Sequence, residues 1–334
     1  MEITWLYASY PWDPEDPSNF GTEQAIVHLS QHWTTKGYRV TVYGNVPAKS
    51  VKGVCYARIE SFDMGATYSI FIICRAGTLA VLGDQRPKSN LVLFDLQDAP
   101  NIYDHSVFVP YVDCFMFKSK YHSNLYSYLS LDKSQVFICP NGIQVENFKD
   151  RQIARDKLRF CYTSSYQRGL EQLLEWSWPE IHKQLPGSQL HVYYGWQPWF
   201  YCEKIDALLK QPGVVHHGRV SNSEIAEEKY RSSMHLYPCH AATEIDCINM
   251  RESALSGCIP VLSDQNVCPE RDGVHVSGDP TEKSFHEQYV KTVIELYHDE
   301  PRQEELRKKF SCGSFLFGWE FVGDQWISVF TRSP

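Results

Sequence analysis

Short apolar runs alternate with amphipathic stretches along this chain, and the alternation occurs twice. In the first half, strand-like runs fall at Ile3–Ala8, Val40–Tyr43, Ser69–Cys74, Leu91–Phe94, Val112–Lys118 and Val136–Cys139, with helical patterns at Thr22–Thr35 and Lys120–Leu129. The second half repeats this at Leu158–Thr163, Gln189–Tyr194, Val214–His217, Met234–Tyr237, Ile259–Leu262 and Val274–Val276, with helical patterns around Arg168–Gln184, Asn222–Arg231 and Cys247–Ser256. A strand that is apolar along its whole length is covered on both faces, as in a parallel sheet flanked by helices. Two such sets predict an α/β chain with two Rossmann-like, doubly wound domains, and 334 residues suffice for both. Pro140-Asn141-Gly142-Ile143 reads as the turn that ends the first set, and the polar stretch Asn147–Asp156 as the linker. The expected division is 1–150, 151–315 and a closing aromatic segment, 316–334.

Composition narrows the function classes. The chain is 43% hydrophobic and carries 40 acidic against 32 basic residues, a net charge of −8. That excess of acid disfavours binding to nucleic acid by phosphate neutralisation and a basic grip on anionic membrane. No run of about 20 apolar residues occurs, so no membrane span is expected. Eleven cysteines are scattered without a Cys-x-x-Cys pair, and several lie inside apolar runs such as Phe71-Ile72-Ile73-Cys74. Free thiols in a reducing compartment are the expectation. With a strand pattern starting at Ile3 and no basic leader, this points to a soluble, cytoplasmic protein.

The stretch that bears most on function runs from Glu244 to Val261. Glu244 and Glu252 stand eight positions apart, across a loop that turns into a helix and then a strand. Asp246 is the expected N-cap and Gly257 the expected C′ residue, with Pro260 just beyond. Glu244 then sits before the helix, at the mouth of a cleft, and Glu252 inside it, ~9 Å along the axis. Between them lie the free N–H groups of the helix start, which attract phosphate. One carboxylate near a sugar, a diphosphate on the helix end and one carboxylate near a ribose would hold a nucleotide-sugar.

Tyr237-Pro238-Cys239-His240-Ala241-Ala242-Thr243-Glu244 through Val261 resembles the signature of glycosyltransferase family 4, retaining enzymes of the GT-B fold. Their pattern is Pro, a few residues, Glu-x7-Glu-(Ala/Ser)-x-(Ala/Leu)-x-Gly-x-Pro-Val. The resemblance implies two Rossmann-like domains facing each other across a deep cleft, the first on the acceptor side and the second on the donor side. It further implies a last helix, here 316–334, that packs back on the N-terminal domain. The chain also resembles glycosyltransferases encoded by large algal viruses. The implied substrates are a nucleotide-sugar donor and a glycan or glycoprotein acceptor. No metal or other cofactor is implied, and the chain has no Asp-x-Asp motif.

The same resemblance implies roles residue by residue. Glu244 contacts sugar hydroxyls and Glu252 the ribose, with backbone N–H groups of Asp246, Cys247, Ile248 and Asn249 helping. Ser164-Ser165-Tyr166-Gln167-Arg168-Gly169-Leu170 resembles the family's diphosphate-clasping segment, with Arg168 in the lysine slot. The family's arginine slot holds Ser or Thr, so one cation is missing, and Arg219 is a candidate to compensate. Ser164 or Ser165 adds a hydroxyl. Gly218 and Arg219 occupy the turn that lines the base pocket. Gly195 and Trp196 end another strand, where Trp196 either stacks on the base or is a plain structural aromatic. Gly21 stands at the family's glycine loop, and the acidic, aromatic Tyr10–Pro17 segment reads as an acceptor-side loop. Leu93–Asp98 resembles a strand ending in His-Asp, with Gln97 at the histidine position and Asp98 left on the acceptor side. His105 reads as a surface histidine. His216 and His217 point to opposite faces of a strand, which rules out a shared metal.

Catalytic work thus falls to Glu244 and Arg168. GDP-mannose is the favoured donor, because many family members with this pattern are mannosyltransferases. A UDP-sugar-dependent transferase, a GT-B epimerase and a degenerate, non-catalytic nucleotide-sugar or glycan binder stay open. A dehydrogenase lacks its Gly-x-Gly-x-x-Gly after the first strand. A periplasmic-type sugar receptor is disfavoured by the cysteines. A homodimer is left open.

Overall fold

The structure is a computed structural model and describes residues 1–83, 85–149, 151–197, 199–313 and 316–331. Asp150 and Phe315, at which the sequence places its domain limits, lie outside the described residues. The chain divides into two compact units: Met1–Gly142 together with the segment from Phe317 on, and Ile143–Leu316.

The first unit is built on eight strands: β1 (Glu2–Tyr7), β2 (Arg39–Gly44), β3 (Lys49–Val51), β4 (Val54–Arg58), β5 (Thr67–Cys74), β6 (Lys88–Asp95), β7 (Cys114–Phe117) and β8 (Val136–Ile138). Their order is β3-β4-β2-β1-β5-β6-β7-β8. Only the β3–β4 pair is antiparallel, a hairpin closed by Lys52 and Gly53 at φ 47° and 84°. Positive φ at both turn residues is the type I′ geometry, whose twist matches the strands it joins. The strongly apolar strands sit where both faces are covered. All four residues of β7 are buried, and so are the last five of β5.

Helix α1 (Gly21–Thr35) and the C-terminal helix Trp319–Phe330 pack together in this unit. Trp5, Trp33 and Trp326 meet with ring centroids 5.6 to 5.8 Å apart, and the Trp33 indole donates to the Gly323 carbonyl at 3.1 Å. Large buried rings in such offset contact are a major source of core stabilisation. His105 is fully buried against Phe94 and Tyr126, rather than at the surface as expected. The expected helix Lys120–Leu129 stops at Leu125 and continues as a 3₁₀ turn over Ser127–Leu129.

The second unit has six parallel strands: β9 (Asp156–Tyr162), β10 (Gln189–Tyr193), β11 (Val214–Gly218), β12 (Ser232–Tyr237), β13 (Ile259–Ser263) and β14 (Val274–Val276). Their order, β11-β10-β9-β12-β13-β14, is the doubly wound order in which the chain steps outward from the centre and then returns to build the other half. The reversal falls between β9 and β12. In sheets of this kind ligands sit beyond the carboxyl ends of the strands at that point.

Helix α2 (Asn222–Arg231) leads into β12, and α3 (Ile248–Ser256) leads from β12 to β13. A capping box opens α2: Ser221 Oγ accepts from the Glu224 N–H, and the Glu224 carboxylate accepts from the Ser221 N–H. The expected helix Arg168–Gln184 begins only at Leu170 and contains a π turn, Leu173–Ser177, just before Pro179. Proline has no N–H to continue a regular ladder. Arg168 therefore stays in the loop after β9. All eleven cysteines are free. Among the described residues, no helix is long and apolar enough to cross a membrane.

Candidate active site

The loops that leave β9 and β12 pack against each other at Gly169. Its φ is +97°, and a Cβ there would stand 2.2 Å from the Pro238 carbonyl oxygen. This contact sets Arg168 beside the segment that carries Glu244. The Glu244 side chain is buried and takes three donors: Arg168 Nη1 at 2.7 Å, the Tyr237 hydroxyl, and the Cys247 N–H at 2.9 Å. Ser164 Oγ lies 3.2 Å from the Tyr237 hydroxyl, so Ser164 rather than Ser165 joins this cluster. Burial works against the Arg168 charge, but the Glu244 carboxylate outweighs it and holds the guanidinium well above its ordinary pKa. The Arg168 side chain is 30% exposed, and the pair is reachable from solvent through it.

The start of α3 differs from the expectation. Cys247, not Asp246, is the N-cap, in left-handed backbone at φ 61° and with no side-chain cap. Glu244 Oε1 takes the N–H of this cap residue itself, at 2.9 Å. Asp246 is drawn away by two buried guanidiniums: Arg251 Nη2 donates at 3.1 Å to both of its oxygens, and Arg271 Nη2 reaches Oδ1 at 3.1 Å. A non-glycine residue in left-handed backbone stores strain of the kind that gathers at functional sites.

Further into α3, Asn249 Nδ2 donates to the Thr163 carbonyl at 3.0 Å. Asn249 Oδ1 and Glu252 Oε2 both accept from Lys229 Nζ, at 3.1 and 2.5 Å. His235 ties α3 to the sheet. Its Nε2 accepts from the Thr163 N–H, and its Nδ1 meets Ser253 Oγ, which donates to the Asn249 carbonyl. Sequence reasoning missed Tyr166, Lys229, His235 and Tyr237. Only Lys229 left a usable signal, since it falls three and four positions after Ala226 and Ile225, on the apolar side of α2.

A second group forms around Tyr166. Its hydroxyl accepts from the Gly195 N–H at 3.1 Å and bonds His216 Nε2 at 2.7 Å, and its ring meets Trp196 edge-on at 5.0 Å. Gly218 and Arg219 approach the same turn, with Arg219 N 3.0 Å from where a Gly195 Cβ would be. His217 turns the other way, stacked on Tyr193 and bonded to His191.

Gly21 and Asp98 belong to the first unit. Gly21 is the first residue of α1. Asp98 is held by Arg75, with Nε at 2.6 Å, and by the Ala76 N–H. Gln97 exchanges amide hydrogen bonds with Asn141. An open hollow of about 980 Å³ is lined in part by Trp12, Asp13, Asp16, Asn45, Arg58 and Glu60. Among the described residues, no group of three or more His, Cys, Asp or Glu side chains could hold a metal ion.

A buried network behind the second sheet carries a pH prediction. Glu228 accepts from Arg159 at 2.7 and 2.8 Å, Tyr193 at 2.6 Å and Ser232 at 2.7 Å. Burial pushes its carboxyl up, but these donors together hold it down at about 2 against an ordinary 4.5. His191, packed beside Arg159, is pushed down by burial to about 4 from 6.5. Both folded values lie below the unfolded ones. The stability they contribute is whole above pH 6.5 for His191 and above 4.5 for Glu228, and it is lost as pH falls toward 4 and then 2. The melting temperature is therefore expected to fall between pH 7 and 4, and more shallowly in His191→Asn. Equal slopes for both chains over that range would overturn the assignment to His191.

The fold is that of the GT-B glycosyltransferases. No protein-family model and no curated protein sequence matches the chain, but solved structures match it over nearly its whole length. Sucrose-phosphate synthase from Thermosynechococcus elongatus is similar with a TM-score of 0.74 at 14% identity, over 98% of each chain. HepE from Anabaena, solved in complex with UDP and glucose, gives 0.74 at 10% identity, again over 98% of each. The catalytic domain of starch synthase IV from Arabidopsis thaliana, solved with ADP and acarbose, gives 0.68 at 11% identity, over 99% of this chain and 98% of that one. At these identities the likeness is one of fold.

Proposed function

We propose that the protein is a retaining hexosyltransferase of glycosyltransferase family 4, moving a sugar from a nucleoside-diphosphate donor to a glycan acceptor without a metal ion. The observation that carries this reading is the Glu244–Arg168 pair, 2.7 Å apart beside the start of α3. The arrangement is a resting one. The donor diphosphate takes over Arg168 and the first N–H groups of α3, and Glu244 turns to the sugar hydroxyls. Glu252 takes the ribose. As the bond from the anomeric carbon to the phosphate oxygen breaks, the guanidinium and the helix-end dipoles offset the charge on the leaving group. The acceptor hydroxyl oxygen bonds the anomeric carbon on the face the diphosphate leaves, and its proton passes to the departing phosphate oxygen. The acidic, aromatic lining of the hollow beside Trp12 suits sugar hydroxyls and apolar sugar faces.

The sequence resemblance favours GDP-mannose as donor. The likeness to a structure holding UDP and glucose supports UDP-glucose as a second reading. Calorimetric titration with GDP-mannose, GDP-fucose, UDP-glucose, UDP-galactose and UDP-N-acetylglucosamine, with EDTA present, separates them. Saturable binding of one donor is expected, weakened about tenfold or more in Glu252→Ala, the size of a lost charged hydrogen bond. A folded protein that binds none of the five overturns the proposal.

A further inference from the structure

Lys229 has no solvent exposure at all. A buried ammonium is tolerated only where it is paired and hydrogen-bonded, and its partners here come from a single neighbouring helix. Nζ donates to Glu252 Oε2 at 2.5 Å and to Asn249 Oδ1 at 3.1 Å, and Asn249 is in turn fixed to the end of β9 through Thr163. The backbone beneath is pinned as well. The Lys229 carbonyl accepts from Arg155 Nη1 at 3.1 Å and from Ser256 Oγ at 3.2 Å, while Arg155 Nη2 donates to the Ser256 carbonyl at 2.6 Å. The ends of α2 and α3 are thereby tied together. Glu252 itself is 14% exposed, and its hydrogen bond from Lys229 goes to Oε2.

A long side chain held at one carboxylate oxygen has already given up rotamer freedom that binding would otherwise remove. We infer that Lys229 is a positioning residue: it holds Glu252 so that the other oxygen, Oε1, takes the ribose hydroxyls, and it thereby sets how sharply the protein tells a ribonucleotide from a deoxynucleotide. The inference rests on the nucleotide-sugar reading above. A plain packing role for Lys229 has a different consequence, since it affects every nucleotide alike.

The test is calorimetric titration of the full chain with UDP, GDP and ADP, each beside its 2′,3′-dideoxy counterpart. The wild type is expected to prefer the ribonucleotide it binds best by at least about tenfold, the size of one charged hydrogen bond. In Lys229→Met that ratio is expected to fall to within about threefold of unity, while the affinity for the dideoxy ligand stays as in the wild type. In an E252Q background, K229M is expected to change the ratio no further. Should K229M fail to fold, K229Q keeps a donor at the same place without the charge, and its ratio is expected to fall part of the way. A wild type that prefers the ribonucleotide and a K229M or K229Q chain that prefers it equally overturn the inference alone. Equal loss of affinity for both ligands leaves Lys229 a packing role and also overturns it. A wild type that binds no nucleotide overturns the nucleotide-sugar reading, and the inference with it.

Discussion

Replacing Glu244 by Gln is expected to lower kcat/KM for sugar transfer by about ten- to a hundredfold, and replacing it by Ala to destabilise the fold as well. Three donors converge on this carboxylate, and it answers each with a charged acceptor. An amide offers one oxygen, so it cannot accept from Arg168 on one side and from the Cys247 N–H on the other. A hydrogen bond to a charged group is worth about 1.5–3 kcal/mol, and a stabilising contact made in the transition state converts at about 1.4 kcal/mol per tenfold in rate. Alanine goes further, leaving a guanidinium without its counter-charge and a buried tyrosine hydroxyl with only the Ser164 hydroxyl beside it. Breaking a buried pair from one side costs about 3–5 kcal/mol. Arg168→Ala with Glu244→Ala is therefore expected to melt higher than the two single losses would sum to. Steady-state kinetics of E244Q, and thermal melting of E244A, R168A and the double variant, check this. Near wild-type turnover in E244Q would remove Glu244 from the chemistry.

How far such a pair can be read in advance depends on what each residue's neighbours owe to sequence and what they owe to folding. The parallel strands were legible because burial on both faces leaves a continuous apolar run, as in β5, β7 and β13. The hairpin β3–β4 was not, since a short edge with one exposed side carries no such run. β12 begins two residues before its apolar run. Ser232 and Ser233 are buried at its start, and Ser232 is satisfied by Glu228 of the preceding helix rather than by water. In the site, Glu244, Arg168 and Glu252 stand out by spacing and type, but their partners do not. Tyr237 closes on Glu244 only because β12 ends beside its own following loop, and Lys229 meets Glu252 only because α2 and α3 share one side of the sheet. Asp246 shows the reverse case. A residue type well suited to capping is claimed by Arg251 and Arg271, one five positions and the other 25 positions along the chain. Local preference gives way when two buried charges need the same carboxylate.

Gly169→Ala is expected to be the most destabilising single methyl in the second unit, at ~4 kcal/mol, and to abolish donor binding with it. Two independent costs coincide there. Left-handed backbone costs an L-residue roughly 1–2 kcal/mol, and at φ +97° the added Cβ would also stand 2.2 Å from the Pro238 carbonyl oxygen. That oxygen belongs to backbone leaving a central strand and cannot swing aside as a flexible side chain can. Relief requires the loops after β9 and β12 to separate, and their contact is what sets Arg168 against Glu244. At roughly 2–4 °C per kcal/mol for a unit of this size, the melting temperature should drop by ~10 °C. Gly218→Ala supplies the control. Its φ is +71°, and nothing lies within 4 Å of the added Cβ, so it bears the backbone cost alone and should lose ~1 kcal/mol. If the two variants melt together, left-handed backbone accounts for both and the Pro238 contact is not what joins the loops. If G169A alone collapses, the close approach of two backbones at Gly169 is what places a cation beside a carboxylate at the switch point of this sheet.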